Sequence, residues 1–168
     1  MNYQKIFFFL TLIILIGCQS ENKQIDSVFR LLEESETGID FSNSLEFNND
    51  FNVYKYRNFY NGGGVAIGDI NNDGLQDVYF TANQSKNKLY LNLGNFKFKD
   101  ITEEALVGGT KPWSTGVAMV DINADGYLDI YVCKYGYSEN PADRRNLLFI
   151  NNGDNTFSEK AQQLGVAN

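Results

Sequence analysis

The chain has 168 residues, 43% hydrophobic and 14% aromatic, which is the content of one ordinary globular domain and leaves no length for many repeats. Its formal charge of -7 and pI near 4.5 argue against nucleic acid, whose phosphates need clustered Lys and Arg, and favour a cationic partner. Histidine is absent, which removes Ser-His-Asp and Cys-His catalysis and the usual zinc ligand together.

In chain order, Met1 to Cys18 carries one positive charge at Lys5 and then an apolar run from Ile6 to Ile16. That run is too short to span a bilayer comfortably and has the layout of an export signal. Its end, Leu15-Ile16-Gly17-Cys18, resembles the lipobox of bacterial lipoproteins. The resemblance implies a signal peptide over 1–17, Cys18 as the lipidated new N-terminus, and a lipid-anchored protein at the outer membrane or cell surface. An uncleaved helical anchor is the alternative; the small Gly17 beside a cysteine favours cleavage. Several acyl chains, at about 0.8 kcal/mol per buried CH₂, would hold the protein on the membrane.

Residues 18–25 are a polar tether, and 26–61 form a lead-in. Asp26 is placed to cap a short helix with Val28, Phe29, Leu31 and Leu32 near one face and Gly38 as its stop. From Phe41 to Asn61 no period is sustained, and an extended segment with one short strand is expected. Cys133, with Thr81 at the same place in the earlier copy, reads as a small buried hydrophobe within a strand.

Val65 to Phe80, VAIGDINNDGLQDVYF, recurs fifty-two residues later as Val117 to Val132, VAMVDINADGYLDIYV. Apolar runs on either side of an Asp-Gly turn predict hairpins. The strands expected are 64–70, 77–82, 88–92 and 96–101, then 116–122, 129–134, 147–151 and 156–160. The fold class is therefore all-β, with two four-stranded antiparallel units over 62–110 and 111–168. Between the second and third strands the offset grows to fifty-nine, so Tyr135 to Arg145 contains an insertion, a common mark of the face where partners meet.

Within each copy the oxygen-bearing side chains stand at positions 1, 3, 5 and 9: Asp69, Asn71, Asp73 and Asp77, then Asp121, Asn123, Asp125 and Asp129. Glycine at position 6 permits a sharp bend, and the backbone carbonyls of Leu75 and Tyr127 at position 7 are expected to point inward. Calcium takes about 6 to 8 oxygens from carboxylates, amides and carbonyls, so two calcium sites are expected. An EF-hand is rejected, because Phe80 and Val132 stand where its twelfth-position Glu belongs. Turn-forming Asn and Asp alone explain one such loop but not Asp at position 9 twice.

These segments resemble FG-GAP, or VCBS, repeats, the blades of integrin-α-like β-propellers. The lipobox, the RNFYNGGG lead-in and the KPWSTG connection resemble the N-terminal part of large Bacteroidetes-type surface lipoproteins. The resemblance implies structural calcium in both turns. Propellers close with roughly 4 to 8 blades, so two blades imply a fragment of a longer protein or dependence on missing blades or a partner chain.

Opposite the turns, the loops collect Tyr54, Tyr56, Phe59, Tyr60, Lys111, Trp113, Tyr135, Tyr137, Arg144 and Arg145. Trp113, Tyr135, Tyr137, Arg144 and Arg145 are the candidate contacts for an extracellular glycan or protein ligand; packing between blades is the competing role for at least half of this set. The function expected is a non-enzymatic, calcium-stabilised adhesion or binding module. The alternatives are part of a polysaccharide-active propeller enzyme and a chain without independent function.

Overall fold

The computed structural model describes residues 28–110, 113–136, 138 and 140–167. The leader, Cys18, the tether, Asp26, Lys111 and Tyr137 lie outside them. The chain divides into a unit ending at Leu31 and a larger one from Leu32 to Asn168, which holds every sheet.

Of the helix expected between Asp26 and Gly38 only the last turn forms among the described residues: Val28, Phe29 and Leu31 are non-helical and strongly exposed. A short helix is marginal unless packing buries its apolar face, and here that face is not buried. Helix α1 is the single turn Glu34–Thr37, opened by a capping box between Glu33 and Glu36 instead of by Asp26. It ends, as the sequence indicates, at Gly38, whose φ of 80° suits glycine.

Strands β1 (Val65–Gly68), β2 (Asp77–Phe80), β3 (Lys88–Asn92) and β4 (Phe98–Asp100) form one antiparallel sheet in sequence order. After it comes α2 (Thr102–Ala105), and then β5 (Ser114–Val120), β6 (Asp129–Lys134), β7 (Leu147–Asn151) and β8 (Phe157–Glu159) form a second sheet of the same order. The register is copied with the sequence: Val65 faces Phe80 as Val117 faces Val132, and Val78 faces Tyr90 as Ile130 faces Phe149. β5 departs by a bulge in which Thr115 and Gly116 both stand opposite Cys133.

The two sheets share one core. Ile70, Tyr79, Leu89, Ala105 and Val107 of the first meet Ile130, Val132, Phe149 and Phe157 of the second. Each fully buried Leu, Ile, Val or Phe contributes about 1.5–3 kcal/mol, so this face is the main source of cohesion. The Tyr79 hydroxyl donates to the Val107 carbonyl at 2.7 Å, which keeps the one polar atom of that ring satisfied. Gly63 is required by close approach: a Cβ would lie 2.2 Å from the Thr81 carbonyl oxygen.

Cys133 is exposed rather than buried. Its counterpart Thr81 is covered because its hydroxyl reaches across to the Thr115 carbonyl of the second sheet; Cys133 lies on the far face of that sheet, with no third sheet beside it among the described residues. The lead-in contains no strand between 41 and 61. It is pinned by side chains instead: Phe41 stacks on Phe80 with centroids 4.7 Å apart, and Asn43 and Asn83 exchange hydrogen bonds of 2.7 and 3.0 Å.

Candidate functional site

Each acidic turn lies between the first two strands of its sheet, over 69–76 and 121–128. The Asp73 amide donates to Asp69 Oδ1 at 3.1 Å and to Asn71 Oδ1 at 3.2 Å, so these two oxygens converge on one atom. Asp69 Oδ2 accepts from the Gly74 amide, Asp73 Oδ1 accepts from the Leu75 amide, and Asn71 Nδ2 donates to Asp73 Oδ2. Left-handed backbone at Asn72 (φ 60°) and Gly74 (φ 86°) makes the curl possible. The second turn repeats this bond for bond: the Asp125 amide lies 3.1 Å from both Asp121 Oδ1 and Asn123 Oδ1, with left-handed Ala124 and Gly126.

The position-9 aspartates have a task the sequence did not announce. Asp77 is fully buried, accepting from the Ile70 amide at 3.0 Å and the Asn92 amide at 2.8 Å; Asp129 does the same with Ile122 and Asn151. Each carboxylate thus ties the start of its acidic turn to the end of the third strand. Burial raises the Asp77 pKa; the two amides oppose this, and the nearby Asp73 and Asp69 charges add to it. Removing these charges' mutual repulsion is what a bound cation would do.

The donor set is all oxygen, as a hard cation requires. Among the described residues, however, no three acidic side chains are gathered into an ion cage. In this structure the side chains are turned onto the loop amides, so Asp69, Asn71 and Asp73 would have to offer their remaining lone pairs, with Asp77 from the strand. Leu75 is exposed at the turn and Tyr127 half-buried; the ring of Tyr127 lies against Gly153.

At the opposite end of the strands the sequence-derived ligand set separates. Trp113 is 2% exposed and is not a surface platform. It forms a small core with Tyr56 and Phe59, flanked by Leu45 and Phe51, and its ring stands edge-on to Phe51 at 5.0 Å. Tyr135, Arg144 and Arg145 are exposed around the inserted loop, where a 3₁₀ turn over Pro141–Arg144 is capped by Asn140. Lys134 is a residue the sequence did not single out: it is buried, and its Nζ donates to the carbonyl and hydroxyl of Thr110. Burial lowers its pKa, with the Asp143 charge opposing.

Residues 69–132 match the family model for FG-GAP-like repeats. The chain carries an FG-GAP-like repeat. The matched stretch runs from the first residue of the first acidic turn to the end of the second copy's VAMVDINADGYLDIYV segment. The chain is also similar to cartilage acidic protein 1 of Xenopus tropicalis, 32% identical over 135 residues, which is 79% of this chain and 20% of that protein. With cartilage acidic protein 1 of Mus musculus it is 35% identical over 69 residues, 41% of this chain and 11% of that protein. The chain therefore spans a fifth or less of the curated relatives it matches. The FG-GAP-like repeat and the two copied sheets together describe a β-propeller-like module.

Proposed function

We propose that this chain is a calcium-stabilised, non-enzymatic binding or adhesion module for a glycan or protein ligand, carried to the outer membrane or cell surface as a lipoprotein through Cys18. The carrying observation is the acidic turn built twice with the same hydrogen bonds, with three aspartates and an asparagine at positions 1, 3, 5 and 9 and no basic residue between them. Calcium would supply positive charge there and no reaction chemistry. Asp69, Asn71, Asp73 and Asp77, with the Leu75 carbonyl, would hold one ion; Asp121, Asn123, Asp125 and Asp129, with the Tyr127 carbonyl, would hold the other. The module then presents the other end of its strands, where the loops are long and aromatic.

The same reading includes further blades, in a longer protein or a partner chain, and two observations support it. The outer face of the second sheet is an open apolar groove of about 500 Å³ in which Ile122, Leu164 and Val166 stand over the buried Leu148. Its counterparts in the first sheet, Ile70, Leu89, Ala105 and Val107, are sealed by the second. At the other end, the single turn α1 resembles the α2 turn that follows the first sheet. α1 ends on left-handed Gly38 before Ile39 just as α2 ends on left-handed Leu106 before Val107, and as the last turn passes through left-handed Gly165 before Val166.

The test is a thermal melt of the exported form with calcium and with chelator, run beside glycan and matrix-protein arrays. A calcium-dependent rise in Tm with array binding and no turnover supports the proposal. Identical melts, or cleavage of an arrayed polysaccharide, overturn it.

A further inference from the structure

The lead-in builds a surface whose chemistry is narrower than that of the inserted loop. Asn48 lines two adjoining clefts, one of about 410 Å³ and one of about 350 Å³. The larger is walled by the hydroxyls of Ser42, Ser44 and Ser85 and by the Gln84 carboxamide. The smaller is walled by three large rings, Phe47, Tyr54 and Tyr60, which are 74%, 94% and 65% exposed, among the side chains of Asn49 and Asn52. Both open at the end of the first blade opposite its acidic turn, since the lead-in enters β1 at Val65 and the turn leaves it after Gly68.

This surface is rigid. Asn48 Oδ1 accepts from the amides of Asp50 and Phe51, and Asn52 Oδ1 accepts from those of Tyr54 and Lys55. Asn52 Nδ2 closes the loop on the Asn48 carbonyl at 2.8 Å. Tyr60 stands edge-on to the buried Phe59, 5.0 Å away. The Gln84 carboxamide both donates to and accepts from the backbone of Glu46, which holds the two clefts side by side. A loop backbone fixed in this way loses little entropy when a ligand arrives.

Charge then selects the ligand. The linings contain no Lys or Arg and a single carboxylate, Glu46. An anionic ligand would find no cation in the linings themselves, Lys55 beside Tyr54 being paired with Asp50, and a cationic one would find one exposed carboxylate there. A neutral sugar chain matches both halves: the C–H face of a pyranose packs on an aromatic ring, and its hydroxyls pair with amides and serine hydroxyls. We infer that the paired clefts of the lead-in, not the inserted loop, are a subsite for a neutral oligosaccharide of a few units, with Tyr54 and Tyr60 as the stacking residues.

This rests on the binding-module reading and is tested on the full exported chain with neutral cello-, xylo-, laminari- and malto-oligosaccharides, with polygalacturonate as the acidic comparison. Tyr54→Ala and Tyr60→Ala should each weaken binding of a neutral oligosaccharide at least about tenfold, the effect expected of truncating an aromatic anchor. Their melting temperatures should match wild type, because both side chains are exposed. Tyr135→Ala and Arg144→Ala should leave that affinity unchanged. Neutral-sugar binding lost through Tyr135→Ala or Arg144→Ala instead overturns the site while leaving the module reading standing. Binding of polygalacturonate alone, or of arrayed proteins alone, overturns the ligand class. No binding to any array overturns the inference and the module reading together.

Discussion

Asn151, at the end of β7, donates its carboxamide to the backbone carbonyl of Ile70 in the other sheet at 2.8 Å, in a fully buried contact. The same amide donates to the Leu128 carbonyl at 3.1 Å, so one side chain satisfies a turn in each blade. Among the described residues the amide of its counterpart Asn92 reaches the Gln76 carbonyl, in its own blade. Both accept one further bond through Oδ1, from Gly153 and Gly94 respectively. The pair therefore differs by the cross-blade bond.

That difference is measurable. Asn151→Ala leaves a buried carbonyl without a donor and should cost about 1–3 kcal/mol more than Asn92→Ala. Urea denaturation of the two variants checks it, and equal midpoints would remove the latch from the account of cohesion.

Calcium binding should appear as a melting shift that each turn carries in part. At a free concentration about a hundred times Kd, one site adds about 2.7 kcal/mol. For an affinity in the extracellular range of about 10⁻⁴ to 10⁻³ M, that shift requires about 10 to 100 mM calcium. Asp73→Ala and Asp125→Ala should each abolish part of the shift, and the double variant all of it. A shift retained in the double variant assigns the ion elsewhere.

Asp77 gives the turn a pH signature. Its folded pKa lies above its ordinary 3.8, mainly through burial, so the folded protein holds this proton better than the unfolded chain. The stability it adds is full below 3.8 and is lost as pH rises through the folded value. In chelator, Asp77→Asn should flatten that fall in the window just above 3.8. It should also lower stability at every pH, because one oxygen cannot serve the amides of both Ile70 and Asn92. Denaturant midpoints at several pH values decide it; parallel curves for the two proteins overturn the assignment.

Trp113 tests packing against recognition. Removing a ring buried among Tyr56, Phe59 and Phe51 should cost about 3–5 kcal/mol in Trp113→Ala. Ligand affinity lost without a change in the denaturation midpoint would return Trp113 to the binding surface.

The outer groove should tolerate charge in the isolated chain. Ile122 and Leu164 are about half exposed, so Ile122→Lys and Leu164→Lys should change stability by no more than about 0.5 kcal/mol. In the presence of a further blade the same changes should prevent docking, read as loss of co-purification. A large loss of stability in the isolated chain would mean that the groove is already part of a closed core.

Much of this architecture was legible in the residues because strands and turns are local. Alternating apolar residues around Asn72-Asp73-Gly74 and Ala124-Asp125-Gly126 specify two hairpins, and self-comparison at fifty-two and fifty-nine residues specifies two equivalent sheets. What the residues could not decide was which apolar side chains find partners. Thr81 is sealed and Cys133 exposed at matching positions, and Ile70 is covered where Ile122 is not, because one blade has a neighbour on that face. Trp113 likewise became core through the fold of the lead-in some fifty residues earlier, leaving Tyr54 and Tyr60 in the light. Burial is a property of what the rest of the chain brings to a face. The sequence by itself determined the repeat, its strands and its acidic turns; only the tertiary structure decided which copy of each residue is held and which is offered.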